Sequence, residues 1–175
     1  LITGFHLFIA TNMPAAVRTI ASITRRRVVP RPRLWASDWP RSAVSGTPSE
    51  PIGPSAVLHS KKFFSDCHKI LRKGGVFITQ NGLPFVHPEH LAQSSRYLGG
   101  IFKDPAVFLC GQPCYFGGPF ALHWASDDKK LRRQSVEEIA KRFKKAKMKT
   151  RYCTPEVHLG AFALPRYIQD IVEGA

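Results

Sequence analysis

Lysine is missing from the first 48 residues of this 175-residue chain, and Asp38 is the only acid among them. The basic residues of that block are Arg18, Arg25, Arg26, Arg27, Arg31, Arg33 and Arg41, with proline at positions 14, 30, 32, 40 and 48. Pro30-Arg31-Pro32-Arg33 excludes helix interior and central strand, because proline has no amide hydrogen and clashes with a preceding turn. Long apolar runs are missing too. None approaches the ~20 residues that cross a bilayer, and Ile2 to Ala10 is broken by Gly4 and His6. No membrane association is expected. Cysteine is scarce: Cys67, Cys110, Cys114 and Cys153 are too few and too irregular for a disulfide framework. Three residues separate Cys110 from Cys114, which excludes a CxxC hairpin. Reduced thiols in the cytoplasm are the expectation.

Acids are few as well, 12 against 26 Lys and Arg, leaving a net charge of +14. Such a balance suits a nucleic acid or an acidic surface, and equally a set of solvated helix faces. The apolar fraction of 43% supports one domain with a real core. Three readings of the arginine block stay open. It is an Arg-rich, acid-poor leader with Met13 as a start, a basic arm for nucleic acid, or a misread or misjoined segment ahead of a genuine domain. The abrupt change from arginine to lysine favours the third. Residues 1–46 are therefore expected to be irregular, and 47–175 to form the domain.

From Glu50 the pattern is regular. Gly53 between Pro51 and Pro54 marks a stiff loop. Ser60 caps a helix to about Leu71, with Phe63, Phe64, Cys67, Ile70 and Leu71 on one face, stopped by Lys73-Gly74-Gly75. Val76 to Thr79 is a doubly buried strand, and Gln80-Asn81-Gly82 leaves it at the carboxyl end, where open α/β sheets place ligands. Pro88-Glu89 opens a second helix to about Phe102. Strands follow at Ala106 to Gln112 and Phe120 to Ser126, antiparallel, around the aromatic turn Pro113 to Pro119. Ser135 caps a third helix with Glu138 at the box position. Its stripe of Val136, Ile139, Ala140, Phe143 and Ala146 faces inward, and Lys141, Arg142, Lys144, Lys145, Lys147 and Lys149 form a solvated basic patch. Tyr152 to Pro155 reads as extended, and Pro165 to Val172 as a closing helix.

Single features favour packing over chemistry. Cys67 lies on an apolar helix face, and Cys110 and Cys114 flank a strand end. Phe63, Phe64, Phe77, Phe102, Phe108 and Phe120 are core candidates, because basic residues do not interleave with them as they would on a base-stacking platform. Nucleic acid is therefore not the expected partner. Histidines at 59, 68, 87, 90, 123 and 158 are read as scattered, without an acid or cysteine partner at ligand spacing, so no metal is expected. Asp127-Asp128 reads as an exposed turn. Glu50, an acid on a rigid loop at the mouth of a strand-built crevice, suits a cationic small molecule.

Five motifs in order resemble spermidine synthase, the polyamine aminopropyltransferase family. They are Glu50-Pro51-Ile52-Gly53-Pro54, Thr79-Gln80-Asn81-Gly82, Pro113-x-Tyr115-x-Gly117-Gly118 and Trp124-Ala125-Ser126-Asp127. The fifth is Arg151-Tyr152-x-x-Pro155-x-x-His158-x-x-Ala161-Phe162-Ala163-Leu164-Pro165. The similarity runs from about Ser49 to Val172. It implies a partial Rossmann-like, methyltransferase-type mixed sheet with flanking helices and a C-terminal antiparallel strand pair. It also implies aminopropyl transfer from decarboxylated S-adenosylmethionine, a co-substrate, to putrescine, with no tightly bound cofactor and with a possible homodimer. Glu50 and Tyr115 then fall at amine-binding positions, Gln80 at the strand end is placed to donate to or accept from either substrate, and Pro54 borders the nucleotide product. The family's loop reads Asp-Ser-Thr-Asp-Pro-x-Gly-Pro, its first Asp being the proton acceptor. Thr47 stands at that position here, and a threonine hydroxyl takes no proton at neutral pH. The competing classes are a non-enzymatic basic nucleic-acid-binding protein and an inactive homologue paired with an intact partner.

Residues 1–46 hold no Gly-rich nucleotide loop and no strand ending in an acid. The isolated chain is therefore expected to bind decarboxylated S-adenosylmethionine poorly. Calorimetry showing micromolar affinity would overturn that expectation.

Overall fold

A computed structural model describes residues 43–46, 53–112, 118–147 and 149–175. Strand β1 (Ala43–Gly46) comes first, followed after undescribed residues by a 3-10 turn at Gly53–His59. Helix α1 (Lys61–Ile70) starts at Ser60, whose Oγ accepts from the Phe63 amide at 3.1 Å. Its stop is glycine chemistry. Gly74 sits at φ +71°, and a Cβ on Gly75 would lie 2.9 Å from the Arg72 carbonyl oxygen.

The next elements are β2 (Val76–Gly82), α2 (Pro88–Gly99), β3 (Asp104–Cys110) and β4 (Phe120–Ser126). Three helices close the chain: α3 (Val136–Lys145), α4 (Pro155–Gly160) and α5 (Arg166–Glu173). The sheet order is β1-β2-β4-β3. β1 runs parallel to β2, and β4 runs antiparallel to both of its neighbours. This is the mixed α/β sheet with a C-terminal antiparallel pair that the sequence implies. Among the described residues no helix is long and apolar enough to cross a membrane.

β4 is buried at all seven positions, so both faces of the sheet are covered. On one face Phe77 and Ala125 meet Phe64 and Cys67 of α1 and Leu98 and Phe102 at the end of α2. Leu91 of α2, Val107, Ala121 and Ile168 of α5 continue that layer. On the other face Val76, Ile78, Leu122, Trp124, Phe120 and Cys110 pack beneath Leu131 and Phe162. Asp104, almost fully buried, takes a two-pronged contact from Arg132: Nε to Oδ2 at 3.1 Å and Nη2 to Oδ1 at 2.7 Å. The guanidinium also lies 5.6 Å from the Phe162 ring centroid. That clamp joins the start of β3, the loop after β4 and the α4–α5 connection.

Several boundaries differ from the sequence reading. Ala43–Gly46 falls in the stretch expected to be irregular, yet pairs with Val76 to Thr79. Ala-Val-Ser-Gly has only one β-branched residue, and its pairing partner, 33 positions away, supplies the order that local propensity lacks. β2 continues through Gln80-Asn81-Gly82 instead of ending at Thr79, because β4 still offers Leu122 and Ala121 as partners. Asn81 is the extra residue of a bulge, and Gly82 takes φ +71°. α2 ends at Gly99, where the double glycine releases the chain and turns Phe102 inward. β3 begins two residues earlier than Ala106, with Asp104 opposite Ser126 and Pro105 opposite Ala125. The outer position of β3 in the described sheet tolerates that proline. Pro155 opens a helix capped by Thr154, whose Oγ1 accepts from the Val157 amide at 3.2 Å.

Phe64 has no exposed surface and meets Phe77 at 5.6 Å and Tyr97 at 6.5 Å between ring centroids. Phe64→Ala is expected to cost about 3–5 kcal/mol, read as a lower urea midpoint with the slope unchanged.

Candidate functional site

The carboxyl ends of β1 and β2 lie at one edge of the sheet, because the two strands are parallel and Gly46 sits opposite Thr79. Gly46 continues directly into Thr47 and Glu50. Thr47, Glu50 and Tyr115 lie outside the described residues. Pro54 is described as backbone of the 3-10 turn only. Gln80 is described: it is half-buried in β2, opposite Leu122 and immediately before the bulge. Of the sequence-predicted site residues it is thus the one whose side chain has a described setting.

Behind Gln80, on the opposite face of the strand, is a buried polar cluster that the sequence reading missed. Asn81 Nδ2 donates to His123 Nδ1, and His123 Nε2 lies 2.9 Å from Ser95 Oγ of α2. With Nδ1 accepting, the ring carries its proton on Nε2 and donates to the serine. Burial pushes the His123 imidazole down to about 3, so it stays neutral. Thr79 Oγ1 and Asn81 Oδ1, both buried, have no hydrogen-bond partner among the described residues. The available signal was a lone histidine inside the apolar run Phe120-Ala121-Leu122-His123-Trp124-Ala125.

The rim of the same region is tied down. Tyr152 Oη accepts from the Gly111 amide at 2.9 Å, fixing the exit of β3 just before the undescribed residues 113–117. At the opposite end of the sheet, where β4 finishes beside the start of β2, Asp127 is exposed, as the sequence suggests, but is not idle. It accepts from the Lys103 amide at 3.1 Å and pairs with His68 Nε2 at 2.8 Å. Burial raises its pKa, and those two bonds outweigh burial and hold it below the ordinary carboxylate range. Cys67 and Cys110 are buried thiols pushed up to about 12 by desolvation, which fits packing and not nucleophilic chemistry. Cys114 lies outside the described residues. The six basic residues of the α3 patch are exposed along its outer side and beyond its end.

The expectation that His87 and His90 lack an acid partner is corrected. Glu89 stands between them, and its Oε1 lies 3.3 Å from His87 Nδ1 and 3.6 Å from His90 Nε2.

A family model for the spermine/spermidine synthase domain matches residues 43–135. The chain belongs to that family. It is 39% identical over 127 residues to a polyamine aminopropyltransferase of Pseudomonas syringae pv. tomato, covering 73% of this chain and 44% of that protein. With the polyamine aminopropyltransferase of an Enterobacter species the identity is 41% over 122 residues, covering 70% and 42%. The chain thus spans less than half the length of these curated relatives. A crystal structure of spermidine synthase in complex with the transition-state analogue AdoDATO shares its fold, with a TM-score of 0.66. Its sequence identity is 20%, over 77% of this chain and 45% of that one. The spermidine synthase from Thermotoga maritima matches with a TM-score of 0.62 and 22% identity, covering 70% and 41%. The family match begins at Ala43, the first residue of β1.

The buried histidine of this family member gives a pH prediction. A histidine in the unfolded chain titrates near ~6.5, whereas folded His123 stays neutral down to about 3. Below the unfolded value the unfolded chain binds the proton and the folded chain does not, so stability falls with pH until the folded ring also protonates. The slope contributed approaches about 1.4 kcal/mol per pH unit. Urea unfolding of the wild type and His123→Gln across that window should show a shallower dependence in the variant.

Proposed function

We propose that this chain is the C-terminal part of an aminopropyltransferase catalytic domain, with residues 47–175 contributing the amine side of the site. The reaction is transfer of an aminopropyl group from decarboxylated S-adenosylmethionine to putrescine, yielding spermidine and methylthioadenosine. The observation that carries the reading is the shared sheet edge. β1 ends at Gly46, opposite Thr79 and next to Gln80, and Thr47 and Glu50 follow it in sequence, in a chain whose relatives are named polyamine aminopropyltransferases.

The chemistry follows from the substrates. A diamine is doubly cationic at neutral pH, so it calls for carboxylates at its ends and apolar or aromatic walls along its methylenes. Glu50 holds an ammonium, Tyr115 lines the methylene path, and Gln80 hydrogen-bonds from the strand end. Pro54 borders the methylthioadenosine. In the transfer one amine gives up a proton, and its lone pair attacks the methylene carbon beside the sulfonium. The carbon–sulfur bond breaks, and its electron pair returns to sulfur, which leaves as a neutral thioether. A positioned carboxylate supplies the base in such a step, and alignment of nitrogen with carbon supplies much of the remainder. Thr47 at the base position offers no proton acceptor, so this chain is slow or inactive alone. Its setting is the cytoplasm, and a homodimer is its assembly.

The test is thermal stability. Spermidine or methylthioadenosine should raise the melting temperature, Glu50→Gln should remove the amine response, and Thr47→Asp should strengthen it. Duplex DNA should have no effect. A salt-sensitive shift with DNA that disappears on Lys-to-Ala changes at Lys141, Lys144 and Lys145 would instead support a nucleic-acid-binding protein.

A further inference from the structure

Two imidazoles and a carboxylate converge where the chain enters α2. One ring nitrogen each of His87 and His90 and one carboxylate oxygen of Glu89 lie within 4.8 Å of one another. The rings are stacked, with centroids 5.1 Å apart and planes 18° from parallel, so both present nitrogen toward the same carboxylate oxygen. The backbone beneath them is braced. The Val86 and His87 amides bond the Leu83 carbonyl at 3.0 and 2.9 Å, and the His90 amide bonds the His87 carbonyl at 3.3 Å. Pro88 fixes the first helical position. His87 occupies the capping position but makes no side-chain cap, which leaves its Nδ1 free for Glu89.

We propose that His87, Glu89 and His90 form a site for a borderline divalent transition metal of the zinc, nickel or cobalt class. Two nitrogens and one oxygen are the donor set those ions prefer, whereas calcium and magnesium favour all-oxygen cages. Bonds of about 2.1 Å place neighbouring ligands on one ion roughly 3–3.5 Å apart. The separations of 3.3 and 3.6 Å through Glu89 are close to that requirement. The third gap closes by rotamer adjustment, for which half-exposed side chains have room. Three protein ligands leave further positions to water. The positive end of the helix opposes a cation there, and the Glu89 carboxylate offsets it. A bound ion ties the turn from Leu83 to the first turn of α2, stiffening the segment just beyond Gln80 and the bulge. This site does not depend on the aminopropyltransferase reading.

Titration of the full chain with zinc alone by calorimetry should give one saturable site of micromolar affinity, with a matching rise in melting temperature. Cobalt should give visible bands of a nitrogen–oxygen site without thiolate charge transfer. His87→Asn, Glu89→Gln and His90→Gln should each weaken zinc about tenfold or more, with unchanged far-UV circular dichroism showing that they fold. Absence of saturable binding, thiolate bands with cobalt, or undiminished affinity in the folded His87→Asn/His90→Gln double variant would overturn the site. If that double variant does not fold, undiminished zinc affinity in Glu89→Gln has the same force.

Discussion

Everything in this structure is arranged to cover β4. A strand buried at every position and paired on both edges needs one apolar layer above it and another below. α1, α2 and α5 supply one layer, and Leu131 and Phe162, reached by the long return after β4, supply the other. The Asp104–Arg132 pair with Phe162 beside it holds that return in place. Such a pair earns stability only if its charges stay hydrogen-bonded, and here both carboxylate oxygens are engaged.

The same double burial shapes the candidate site. Alternation along β2 sends Val76, Ile78 and Gln80 to one face and Phe77 and Thr79 to the other. Beyond Thr79 the second face turns polar, with Asn81 bonded to His123 and His123 to Ser95. A neutral imidazole there is less costly than an ion, and its two hydrogen bonds satisfy both nitrogens. The bulge at Asn81 lets β2 keep its ladder with β4 while changing direction at its carboxyl end. Ligand chemistry is proposed at that end, in the place where open α/β sheets carry it.

Helix positions were legible because their signals are local. Ser60, Ser135 and Thr154 each sit where a side-chain oxygen can take the amide three residues on, and all three do so. Even so, the helix beginning at Pro155 is not legible, since six residues leave too short a periodic pattern to recognise, while Thr154 before it is extended as the sequence suggests. The aromatic core was legible for a similar reason: Phe64, Phe77, Phe102 and Phe120 are buried as expected, and Phe63 and Phe108 partly so. β1 was not legible. Its four residues become a strand only by pairing with a partner far along the chain. The convergence of His87, Glu89 and His90 is not legible either, because sequence neighbours at a helix start share a face only once the turn from Leu83 is formed.

By itself the sequence determined the helix caps, the apolar faces, the absence of a disulfide pattern and the motifs that carry family membership. These rest on residue identity and short spacing, which chain order preserves. Tertiary structure alone decided that β4 inserts between β2 and β3, that β1 joins the sheet, and that His123 is neutral between Asn81 and Ser95. Those outcomes depend on contacts between residues 28 to 50 positions apart, across β1–β2, β2–β4 and the His123 cluster, and on the desolvation such contacts impose. No local pattern encodes either one.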